Sequence, residues 1–148
     1  MTYEELFDNI KLFNKEQRLE SLDAGFDYVM SILVPACSGK EETAKTLLVM
    51  GLSTFMLADS HLEESEFELL QDFFLEDFTE DELIHTLRVG DDDKDKIIDG
   101  FIDFIQNNEE DFLDHFIIMG MIVCTCDGNI SSNELELANK YVSAYMNR

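Results

Sequence analysis

With a single proline and seven glycines, this 148-residue chain has few of the residues that build tight turns. A sheet of hairpins depends on such turns, so the expected fold class is all-α. Tryptophan is absent, but twelve phenylalanines and a hydrophobic content of 45% supply enough apolar surface for one core. A disordered chain is thereby excluded, and residues 1–148 read as one domain. The three cysteines, Cys37, Cys124 and Cys126, are an odd number and contain no C-x-x-C pair. Cys124 and Cys126 stand two apart in a helical-looking run and face different ways. Free, buried thiols in a reducing compartment are the expectation. The spacing of these thiols from His61, His85 and His115 supports no zinc site.

Basic residues are also scarce: 33 acids face 10 lysines and arginines, for a net charge of −23. Neither lysine nor arginine occurs from residue 46 to 87 or from 97 to 139. Such a surface repels nucleic acid and anionic lipid heads. It attracts cations, basic proteins and basic peptides, and it also keeps a protein soluble. Hydrophobic runs are short. The longest, Phe116 to Cys126, has eleven residues, against roughly 20 needed to span a bilayer. Residues 1–20 are charged throughout, unlike a signal peptide. A cytoplasmic protein without membrane insertion is expected.

What the chain does have is a repeat. Residues 41–76 return without a gap as residues 109–144. Glu41 meets Glu109, Asp59 meets Asp127, Glu66 meets Glu134, and Leu69 meets Leu137. Apolar residues recur at helical spacing around both copies. They predict helices over 2–13, 15–36, 41–58, 63–75, 79–89, 93–107, 109–125 and 131–147. Seven or eight helices with short connections imply a compact bundle with an internal pseudo-two-fold. Pro35 should kink or end the second helix, and Gly90-Asp91-Asp92-Asp93 reads as a turn. Gly51, inside a helix, points to close packing against a neighbour. Phe67, Leu70 and Phe74 are expected to face inward from 63–75, and Leu135, Ala138, Tyr141, Val142 and Tyr145 from 131–147. Thr79 with Glu82, and Ser131 with Glu134, form capping boxes. The glutamates of 63–68 read as a solvated helix face.

Each copy is centred on an acidic turn, D-x-x-(L/I)-x-x-x-E, running from Asp59 to Glu66 and from Asp127 to Glu134. The second half of a calcium-binding EF-hand loop has this form, but its first half needs oxygen ligands. Val123 and Phe55 stand at the first ligand position, so an EF-hand is excluded. Two readings of the turns stay open. The aspartates can close an Asx-turn while Glu134 caps its helix, with no ligand involved. Alternatively, if the pseudo-two-fold brings the turns together, Asp59, Glu66, Asp127 and Glu134 converge as oxygen ligands for Ca²⁺ or Mg²⁺. Asp59 and Asp127 each follow the C-terminus of a helix, where a negative charge is disfavoured by roughly 0.3–1 kcal/mol without a neighbouring cation or N–H group.

An apolar helix followed by D-G-x-I-x-x-x-E, used twice in an acidic helical chain, resembles the tellurite-resistance TerB-like family. That family is related in fold to the N-terminal domain of the membrane-anchored DnaJ-like protein DjlA. The resemblance covers residues 41–76 and 109–144. Where the family turn reads A-D-G, this chain has Ala58-Asp59-Ser60 and Cys126-Asp127-Gly128. The resemblance implies an all-helical, non-enzymatic binding module of a bacterial cytoplasmic stress-response or defence system. It further implies a protein partner and a divalent-cation role for the four motif acids. No phosphate loop, H-E-x-x-H or nucleophile elbow is present. Two alternatives remain: a metal-dependent enzyme using the same carboxylates, and an acidic decoy that binds a basic surface.

Overall fold

The computed structural model describes residues 3–58, 62–126 and 128–148. Among them are eight helices and no strand: α1 (Tyr3–Ile10), α2 (Lys15–Ala36), α3 (Glu41–Met56), α4 (Glu64–Phe73), α5 (Glu80–Asp92), α6 (Lys94–Gln106), α7 (Glu110–Cys124) and α8 (Ser132–Met146). The expected all-α bundle is observed.

Local chemistry accounts for several boundaries. Capping boxes open α2, α5 and α8, through Asn14 with Gln17, Thr79 with Glu82, and Ser131 with Glu134. Each supplies partners for backbone N–H groups that the first helical turn cannot satisfy. Helix α2 runs unbroken to Ala36 with Pro35 in its last turn, and Ser38 and Gly39 then leave it with positive φ. Gly90-Asp91-Asp92-Asp93 is not a turn. Gly90, Asp91 and Asp92 belong to α5, and Asp93 alone joins it to α6. Glycine is used at position 90 for proximity: a Cβ there would lie 2.8 Å from Ser53 Oγ on α3.

Helices α3 and α7 form the centre and pack on one another. Around them most of the packing survives an exchange of halves, the α5–α6 and α7–α8 contacts excepted. Helix α2 packs on α7, α3 and α4, and α6 packs on α3, α7 and α8. Helix α1 meets α7 as α5 meets α3, and α4 meets α7 as α8 meets α3. The duplication therefore reaches beyond the sequence repeat. Arg18, Leu22, Gly25 and Val29 are the buried stripe of α2, and Lys94, Ile98, Phe101 and Ile105 occupy the same spacing on α6. Sizes are traded across the two crossings. Gly25 accepts Met119 on one side, whereas Phe101 presses on Gly51 on the other.

The core centres on Phe116, which is fully buried. Rings of Phe55, Phe101, Phe112 and Tyr141 surround it at centroid separations between 4.7 and 6.0 Å. The buried Tyr141 hydroxyl lies 3.0 Å from Thr54 Oγ1. Two inward faces differ from expectation. On α4, Leu69 is buried and Phe67 only half-buried. On α8, Leu137 and Glu134 are buried beside Ala138 and Tyr141, while Leu135, Val142 and Tyr145 are half-buried at the edges. In both cases the motif glutamate has turned inward, and the inward arc rotates with it.

Candidate cation site at the acidic turns

Helices α4 and α8 each begin directly after an acidic turn, and Glu66 and Glu134 are the third residue of each. An exposed glutamate at this position is ordinary, since a carboxylate suits a helix N-terminus. Glu82 is such a case: it caps α5 from the surface, and the Thr79 N–H holds its carboxyl below the usual range. Glu66 and Glu134 instead retain only 5% and 6% exposure. The expected solvated face over 63–68 is thus wrong at Glu66, although Glu64 and Glu68 are exposed. Glu134 still accepts a hydrogen bond from Ser131 N at 2.9 Å, so capping is present, but capping alone does not require burial.

The two glutamates bear on one atom. The buried Cys124 thiol at the end of α7 is pushed well above its ordinary pKa, first by desolvation. Next come the charge of Glu134 and a hydrogen bond to it, then the charge of Glu66. One glutamate from each half therefore bears on Cys124, Glu134 through a hydrogen bond and Glu66 through its charge. The thiol is a protonated donor in this setting, not a thiolate. In the native protein at pH 8, iodoacetamide should modify half-buried Cys37 and Cys126 at least ~100-fold faster than Cys124, because attack requires exposure and thiolate. Mass spectrometry of timed digests checks this, and equal rates would show that Cys124 is not sealed.

Basic side chains close the helix ends that lead into the turns. The Arg18 guanidinium, 3% exposed, donates to Ile122 O at 2.5 Å, Thr125 O at 2.9 Å and Thr125 Oγ1 at 2.9 Å. It also donates to the carbonyls of Ile10, Lys11 and Phe13. Thr125 is the C-cap of α7 and Leu57 that of α3, and they are equivalent in the repeat. Lys94 Nζ donates to Leu57 O at 2.5 Å. The end of each central helix thus receives a cationic donor from the opposite half. The donor comes from the first turn of α6 in one case and of α2 in the other.

Of the four motif acids, Asp59 and Asp127 lie outside the described residues, as does His61. Gly128, which follows Asp127, has φ +81° and its N–H donates to Thr125 O at 2.9 Å, the left-handed turn that glycine permits. Leu62 and Ile130, the apolar positions of the motif, are half-buried against the core. Among the described residues, no three histidine, cysteine, aspartate or glutamate side chains gather as a ligand group. Also among them, no helix is long and apolar enough to cross a membrane. Sequence reasoning missed Arg18, Lys94 and Cys124. The signal for the first two was present, since each stands at the first position of a stripe at i, i+4, i+7 and i+11 where a fourth apolar residue would fit. No protein-family model, curated protein or solved structure matches this chain.

Proposed function

We propose that the protein is a non-enzymatic helical binding module that holds a divalent cation where its two acidic turns meet. In this reading it serves a bacterial cytoplasmic stress-response or defence system, in the manner of the TerB-like proteins whose turn motif it resembles. The observation that carries the proposal is the burial of Glu66 and Glu134, one from each half, with the charge of both bearing on the Cys124 thiol. Carboxylates enclosed in a chain of net charge −23 suit a divalent ion, whose charge opposes theirs. Their oxygens suit Ca²⁺ or Mg²⁺. Zinc, which takes mainly nitrogen and sulfur ligands, fits less well, because the four motif acids offer only carboxylate oxygens. A full ligand set depends on Asp59 and Asp127, which the repeat assigns to the same turns. The ion would fasten the two halves and hold the module in its binding shape.

Calorimetric titration with Ca²⁺, Mg²⁺ and Zn²⁺ tests this. Wild type should release or absorb heat with Ca²⁺ or Mg²⁺ at one site. Glu66→Gln/Glu134→Gln and Asp59→Asn/Asp127→Asn should each weaken binding by about tenfold or more, roughly 1.4 kcal/mol. A silent wild-type titration, or binding untouched by both double substitutions, would sink the proposal.

A further inference from the structure

A groove of about 420 Å³ lies between the end of α2, the middle of α3 and α6. Its floor is Leu33 and Phe101, and its walls include Leu47, Ile97, Gly100 and Phe104. Of the described motif acids, neither Glu66 nor Glu134 lines it. The volume falls in the range of binding sites, roughly 300–1,000 Å³. Leu47 spends 38% of its surface on water here.

Gly100 is the informative residue. Gly25, Gly51, Gly90 and Gly120 each have a side chain pressed against the place of a Cβ, and Gly39 and Gly128 have positive φ. Gly100 has neither reason: it sits inside α6, is exposed, and a Cβ there would touch nothing. A helix-interior glycine costs roughly 0.5–1 kcal/mol relative to alanine. Within the chain nothing offsets that cost, whereas a molecule seated closely on the α6 backbone would.

The charged residues indicate what sits there. Asp93 and Lys96 line the groove, and Asp99 and Asp103 are exposed on the same helix beside it, three aspartates against one exposed lysine. Lys94 is already engaged with Leu57 O. A second copy of a chain with net charge −23 would be repelled. We propose that the groove docks a cationic amphipathic helix of a partner protein. One large apolar side chain would lie over Gly100 between Leu47 and Phe104, and lysines or arginines would face the aspartates. This rests on the reading of the chain as a binding module and not on the cation.

The test is fluorescence anisotropy with a labelled Leu/Lys peptide of about 18 residues, five helical turns, whose leucines share one face. The control is a scrambled peptide of the same composition, at ~0.15 M salt, where long-range charge is screened. Wild type should bind the amphipathic peptide about tenfold or more tightly than the scramble. Gly100→Leu, whose Cβ meets no other atom, sets a side chain in the groove and should weaken binding about tenfold or more, with its melting temperature unchanged or raised. Leu47→Lys, at an exposed position, should do the same by a different route. Glu66→Gln/Glu134→Gln should bind the peptide as wild type does, which separates a failed groove from a failed cation site. Equal binding of the two peptides, or full binding by both groove variants, would overturn the proposal. So would displacement of the peptide by decanoate, which assigns the groove to an apolar acid. A wild-type dimer that Gly100→Leu dissociates would assign it to a second copy and overturn the proposal equally.

Discussion

Arg18→Met should lower the unfolding free energy by about 3–5 kcal/mol, read from urea denaturation at neutral pH. The guanidinium donates to five carbonyls and one hydroxyl, gathered from the end of α1, the following loop and the end of α7. Those carbonyls are the acceptor-rich poles of two helices, where positive charge is most favourable. Methionine keeps most of the apolar stem and removes every donor, so the carbonyls of Ile122 and Thr125 lose a charged partner inside the protein. Each such loss costs about 1–3 kcal/mol, reduced where water can enter. Arg18→Lys should recover less than half of the deficit, because one ammonium on a single pivot cannot span two helix ends. Lys94→Met removes one bond at a half-buried site and should cost only about 1–2 kcal/mol. A loss below 1 kcal/mol for Arg18→Met would mean that solvent reaches the α7 terminus.

Gly120→Ala should cost about 2–3 kcal/mol even though alanine is the better helix former. A Cβ at 120 would fall inside the van der Waals envelope of Phe55 at Cδ2, Cε2 and Cγ. Those atoms run along one edge of the ring from its root, and the ring is held by Phe116 and Tyr141, so it has nowhere to go. Gly51→Ala meets the far tip of Phe101, whose ring borders an open groove and can slide outward. The Gly51 change should therefore cost less than half as much. A double-mutant cycle decides the cause: in a Phe55→Leu background the Gly120→Ala penalty should shrink by about 1 kcal/mol or more. An unchanged penalty would place the strain elsewhere on α7.

The helices were legible because their apolar residues recur at helical spacing and their starts carry capping residues, as at Thr79 and Ser131. Gly90 was misread because glycine before three aspartates fits a turn, and only the tertiary contact with Ser53 explains it as a packing notch. The duplication was visible over α3–α4 and α7–α8, where residue identities persist. Over α2 and α6 it was hidden, because Gly25 and Phe101 exchange sizes with Met119 and Gly51, and a size exchange erases identity while preserving volume. Glu66 and Glu134 could be named as candidates from their spacing. Their burial could not, since a third-position glutamate is exposed at Glu82 and enclosed at Glu134 within the same capping chemistry. Convergence on Cys124 depends on the crossing of α3 and α7, which no local pattern encodes.

The exchange of donors between halves bears on cooperativity. Arg18 belongs to the first half and closes α7 in the second, while Lys94 belongs to the second and closes α3 in the first. Neither half carries the residue that finishes its own central helix. Loosening one half uncovers a helix pole in the other, so the free energies of opening the two are coupled. The bundle should melt as one unit, with the two acidic turns opening and closing together.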